Sequence, residues 1–131
     1  MKTPLDPRHA RRRKIIQELF EWEARNKIKD QKSKIKNVNY DQKTRLIIKS
    51  LGKIDPLIET QASRWPKEKI NMVDIAILRL AVYELVLEKK EPFKVVIDEA
   101  VELAKEFGGE GGPGFVNGVL GAVLKLGADG K

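Results

Sequence analysis

Hydrophobic positions are densest between Met72 and Leu87, MVDIAILRLAVYELVL, where only Asp74, Arg79 and Glu84 carry charge. A surface helix shows one apolar stripe, whereas this stretch is apolar almost all round, which predicts a helix buried among others. It is too short and too charged to span a bilayer. Asn71 suits its N-cap, and Asp74 then falls in the first turn, where a negative charge complements the helix dipole. Upstream, Ile15, Ile16, Leu19, Phe20 and Ala24 recur at steps of three and four, with Trp22 on a flank. They predict a helix to about residue 26, with Asp6 as N-cap and Pro7 at N1. Tyr40, Thr44, Ile47, Leu51, Ile54 and Ile58 keep the same spacing, but Gly52 and Asp55-Pro56 predict a break. The expectation is a helix near 41–52 and a shorter one near 56–63 capped by Asp55. Trp65-Pro66 predicts a turn, and residues 67–70 one helical turn leading into the central helix.

Val95 to Phe107 has the clearest amphipathic pattern. Val96, Ile97, Ala100, Val101, Leu103, Ala104 and Phe107 are expected inward, and Asp98, Glu99, Glu102 and Glu106 outward. Gly108 should end it at C′, GGEGGPG at 108–114 should form a glycine loop, and a last helix should start near Phe115. Val116, Val119, Leu120, Val123 and Leu124 are its expected inner face, and 127–131 a frayed tail. Residues 1–8 read as a flexible arm and 27–39 as a lysine-rich connector. No β-alternation or internal repeat occurs, so the expected class is all-α, in a single domain over 1–131.

Charge sharpens this outline. Residues 1–53 hold 16 Lys/Arg against 6 Asp/Glu, and residues 54–131 hold 10 against 13, within a net charge of +7. A basic half points to a polyanion such as nucleic acid, while the acidic half leaves room for a basic protein partner or is simply a solvated surface. There is no cysteine and one histidine, His9, so neither a disulfide nor a zinc site is expected. With no apolar leader segment, a cytoplasmic protein is the expectation.

Arg8, Arg11, Arg12, Arg13 and Lys14 join the arm to the first helix. Arginine-rich arms order on RNA, and the run reads equally as a solubilising patch. Consecutive cations at a helix N-terminus oppose its dipole, and a bound phosphate would offset that cost. The glycine stretch followed by Phe115-Val116-Asn117-Gly118 could approach a ligand closely. It is not a phosphate-binding P-loop, because the closing lysine and hydroxyl are missing. Phe115 suits either a core position or a partly exposed ring. Asp98, Glu102 and Glu106 are spaced as in carboxylate metal sites, but the paired histidines of helical di-iron proteins are absent. No nucleophile lies with a base, so no catalytic residue, metal or cofactor is expected.

The segments ILRLAVYEL at 77–85, PFKVVIDEAVELAK at 92–105, FGG at 107–109 and FVNGVL at 115–120 resemble the NusB family of transcription antitermination proteins. ARRR at 10–13 and LFEW at 19–22 are similar to its N-terminal signature. The resemblance implies an all-α fold of about six to seven helices in two small bundles. It implies binding to boxA-type single-stranded RNA in ribosomal RNA leaders, pairing with the ribosomal protein NusE, and entry into an RNA polymerase antitermination complex, without enzymatic activity. By the same resemblance Arg11, Arg12 and Arg13 fall in the RNA-binding arm. Phe20 stands where many members have tyrosine, and Phe115 matches an aromatic that meets RNA. Gly111 replaces an aspartate found in some members. Asp74 matches an acidic position on the partner-facing side, and Glu84, in the same motif, is the second partner-binding candidate. Two other readings stay open: a module like the N-terminal domain of RNA cytosine methyltransferases, and an RNA-independent helical adaptor.

Overall fold

The computed structural model describes residues 6–27, 38–66 and 70–129, with side chains in the last helix described to residue 126. Most of the expected arm, of the connector at 27–39 and of the turn at 67–70, and the end of the tail, lie outside these residues. Six helices follow in order: α1 Pro7–Asn26, α2 Gln42–Lys49, α3 Leu51–Ala62, α4 Met72–Val82, α5 Phe93–Phe107 and α6 Gly112–Asp129. A π-helical stretch, Tyr83–Glu88, continues α4. Among the described residues there is no strand. No described helix is long and apolar enough to cross a membrane.

The central position of α4 follows from its composition. Ala76, Ile77, Leu78, Leu80, Ala81 and Val82 are all buried, and α1, α3, α5 and α6 each pack on it. One bundle comprises α1 to α3 with α4, the other α4 to α6, and a single apolar core runs through both. Ile15, Ile16 and Leu19 supply the face of α1, and Val96, Ala100, Leu103 and Ala104 that of α5. Asp6 accepts from the Arg8 backbone N–H at 2.9 Å, with Pro7 in the first turn, and Asn71 Oδ1 accepts from the Val73 N–H at 2.7 Å. Both caps are where the sequence places them.

Four boundaries differ from expectation. The break between α2 and α3 falls at Ser50, not at Gly52 or Asp55. Pro56 sits inside α3. The carbonyl it leaves without a donor belongs to Gly52, an exposed residue that water can reach. Asp55 does not cap a helix; it accepts from Arg79 at 3.0 and 2.9 Å. A buried guanidinium gains more from this carboxylate than an exposed helix end would. The last helix begins at Gly112, and α5 begins at Phe93, directly after Pro92. Glu99, expected outward, is buried against α1, where His9 and Arg12 meet it.

The end of α4 is strained. Lys89 donates its backbone N–H to the Glu84 carbonyl at 2.9 Å, a five-residue step, and adopts φ +56°. A left-handed lysine there terminates the helix at a conformational cost of about 1 kcal/mol or more.

Candidate nucleic-acid interface

The arginine run lies on the first two turns of α1, and helix geometry divides it. Arg12 points inward with His9, Ile15, Ile16 and Leu19. It is 8 % exposed and clasps Glu84, from Nη2 at 2.8 Å and from Nε at 3.1 Å. Its Nη1 lies 3.5 Å from Glu99. Lys43 of α2 donates to Glu84 at 2.8 Å and to Glu88 at 3.0 Å. Glu84 is 1 % exposed, so two cations neutralise a carboxylate deep in the molecule. His9 completes the cluster, with Nδ1 at 3.0 Å from Glu99 and Nε2 at 2.7 Å from Glu106. Carboxylates accept only, so a ring donating from both nitrogens satisfies this geometry in full.

The other cations of the run stay outside. Arg8 is exposed and lies 3.5 Å from Glu91. Lys14 is exposed. Arg11 forms a two-pronged pair with Asp41 at 3.0 and 2.9 Å. Arg13 stands over the Phe107 ring, 5.3 Å from its centroid, and 3.9 Å from Glu106. Arg13, Gln17 and Phe20 follow steps of four and three, so they share one face of α1. Phe20 is 43 % exposed on that face. The contacts of His9 and Arg13 with Glu106 and Phe107 bring the start of α1 beside the end of α5, where the glycine loop begins. Two features nearly a hundred residues apart in the chain thus meet on one side of the molecule.

Phe115 is placed differently. It is 6 % exposed and meets Trp65 edge to face, with centroids 5.1 Å apart at 79°. Asp74 is also covered. Its carboxylate packs against the backbone of Gly108 and Gly112, and its Oδ1 has no donor among the described residues. Burial raises its pKa from the ordinary carboxylate value. Gly111, in the turn before α6, has φ +86°, which favours glycine. Sequence reasoning missed His9, Lys43, Glu99 and the Arg79 cluster with Asp55 and Glu23. The available signal was charge on predicted inner faces, since a buried charge implies a partner.

The NusB family profile matches residues 9–125. The chain belongs to the NusB family. A protein of Lachnoclostridium phytofermentans named transcription antitermination protein NusB is 36 % identical over 108 residues, 82 % of this chain and 79 % of the relative. A Dehalococcoides mccartyi protein of the same name is 46 % identical over 86 residues, 66 % of this chain. That match spans 60 % of the relative, less than two thirds of its length. In solved structures, T. maritima NusB superposes with a TM-score of 0.73 at 36 % identity, covering 95 % of this chain and 93 % of that one. A chain from the crystal structure of a plectonemic RNA supercoil shares the fold, with a TM-score of 0.74 at 24 % identity, covering 95 % of this chain and 98 % of that one.

The Arg11–Asp41 pair makes a testable pH dependence. Hydrogen bonding from Arg11, aided by the Lys43 backbone N–H, lowers the Asp41 pKa from 3.8 to about 2. The folded state therefore holds the proton less tightly than the unfolded state, so this stability is complete above the unfolded value and is lost as pH falls through about 2. Asp41→Asn keeps a capping oxygen for α2 but removes the charge. The difference in urea midpoint between parent and variant should be constant above pH ~4 and close between ~4 and 2. A gap that stays constant to pH 2 would contradict the assignment.

Proposed function

We propose that this chain is a non-enzymatic, cytoplasmic transcription antitermination factor. It binds boxA-type single-stranded RNA in nascent ribosomal RNA leaders together with NusE, and joins the RNA polymerase antitermination complex. The observation that carries the reading is the exposed surface of α1: Arg13 shares a face with the exposed Phe20 ring, and Arg8, Arg11 and Lys14 add exposed cations to the first turns of the same helix, in a chain of the NusB family. Phosphate contacts from such a strip position a strand, and an exposed ring offers a stacking platform. Arg12 acts beneath the strip, holding α1 in place through Glu84. The partner contact with NusE uses the surface around Asp74 and Glu84, because both side chains are themselves covered.

The test is binding of labelled boxA RNA against a scrambled control, with and without NusE, across a salt series. Arg11, Arg13 and Lys14 replaced together by alanine should flatten the log–log salt slope by about 2, at roughly 0.7 per lost phosphate contact. Both RNAs should weaken alike. Phe20→Ala should leave the slope nearly unchanged and cost ~1–3 kcal/mol of binding. If the triple variant keeps the parental slope and affinity, the strip is a solubilising surface and the RNA site lies elsewhere.

A further inference from the structure

The side of α2 turned away from the core is cationic. Thr44 and Ile47 are its buried residues, and Lys43 reaches inward to Glu84 and Glu88. Arg45, Lys49 and Lys53 are all exposed. The chain keeps turning through Ser50, whose carbonyl accepts from the Lys53 and Ile54 N–H groups at 2.9 and 3.0 Å, so Lys53 continues the spacing on α3. Steps of four place the three cations in one row, with about 6 Å between neighbours at roughly 1.5 Å per residue.

Like charges at this spacing repel one another. Among the described residues no carboxylate pairs with any of the three. Arg45 donates to the neutral Asn39 side chain at 2.8 Å. The acids of the packed neighbours are engaged elsewhere. Asp41 holds Arg11, Glu18 accepts from the Asp41 N–H and the Thr44 hydroxyl, Glu88 holds Lys43, and Asp55 holds Arg79. The arginines of α1 differ, since Arg8, Arg11 and Arg13 each stand beside a carboxylate.

The row is continuous with the cations of α1. Arg11 grips Asp41, the N-cap of α2, four residues before Arg45, and the charge of Lys14 also acts on Asp41. The row itself carries no aromatic ring, so it offers contacts to phosphate and no stacking platform. An acidic protein patch would need its charges at fixed matching places, whereas a flexible strand can set successive phosphates to this spacing.

We propose that Arg45, Lys49 and Lys53 form a second, sequence-independent track for the RNA backbone, which takes nucleotides flanking the segment held at α1. The inference rests on the RNA reading above and extends the footprint from α1 across α2 to the start of α3.

The test uses the full chain, labelled boxA RNA, and the same RNA carrying a tail of about ten uridines at its 5′ or its 3′ end. For the parent, one of the two tails should tighten binding roughly tenfold at low salt and steepen the log–log salt slope by about 2, at roughly 0.7 per contact. Arg45, Lys49 and Lys53 replaced together by glutamine should give a thermal melt no lower than the parent's, because the repulsion is removed. That variant should bind the untailed RNA as the parent does and lose the gain from the tail. A tail that adds nothing to the parent would overturn the track while leaving the RNA reading intact. A gain that survives in the variant, or an equal loss on tailed and untailed RNA, would overturn it too. If the tail adds nothing and the variant instead loses affinity for purified RNA polymerase, the row docks an acidic protein surface and the track is refuted. If neither tailed nor untailed RNA binds the parent at any salt concentration, the RNA reading fails and this inference with it.

Discussion

Glu84→Ala should lower stability by about 3–5 kcal/mol, because it takes from Arg12 the carboxylate it clasps and leaves Lys43 with Glu88 alone, where little water reaches. Arg12 and Lys43 both donate to this carboxylate, and their side chains are 10 % and 12 % exposed. Glu99, 3.5 Å from Arg12, cannot replace the loss, since His9 already engages it. Against a typical domain stability of ~5–15 kcal/mol, the variant should have a much reduced urea midpoint. Replacing Arg12, Lys43 and Glu84 together by methionine should recover much of the loss, as an apolar cluster does not need neutralisation. A single variant with the parental midpoint would show that the buried pairing does not form. Arg12→Ala should weaken RNA binding for the same reason, through α1 coming loose, without the change in salt slope expected of a direct phosphate contact.

Leu80→Asp should abolish folding. Leu80 is 2 % exposed on the helix that four others pack against, and Arg12, which lines the same small cavity, is already committed to Glu84. An unpaired charge in such a position costs several kcal/mol, in addition to the lost apolar burial. Far-ultraviolet circular dichroism should show the parent as mostly helical, and the variant should lose that signal at temperatures where the parent keeps it. Leu80→Met is the volume-matched control and should cost less than ~1.5 kcal/mol. A Leu80→Asp protein that melts like the parent would refute the central position of α4.

The central helix was legible because its apolar residues leave no room for a solvent face, and the caps at Asp6 and Asn71 because those residue types bind free N–H groups locally. The break near residue 50 was not. Gly52 and Pro56 are strong local signals, but the Arg79–Asp55 pair and the burial of Ile54 and Ile58 override them, and such tertiary terms have no trace in a local pattern. The arginine run shows the same limit at the site. Four cations in a row read as one patch, yet helix geometry turns Arg12 inward and leaves Arg11 and Arg13 outside. Glu99 lies next to Asp98 in an acidic segment and read as solvated, and only the position of His9 and Arg12 on another helix makes its burial possible.

The polar ties of α1 also bear on the order of folding. His9 waits for Glu99 and Glu106, 90 and 97 residues later, Arg12 for Glu84, 72 residues later, and Glu23 for Arg79, 56 residues later. On an emerging chain the first helix exists before any of these partners has been made. Its inner charges remain hydrated until the chain has closed loops of that length, which is slow because closure entropy must be overcome before the contacts compensate. A helix synthesised well before its partners is therefore among the last to be locked, and its cationic face is presented in final form only once α5 is in place.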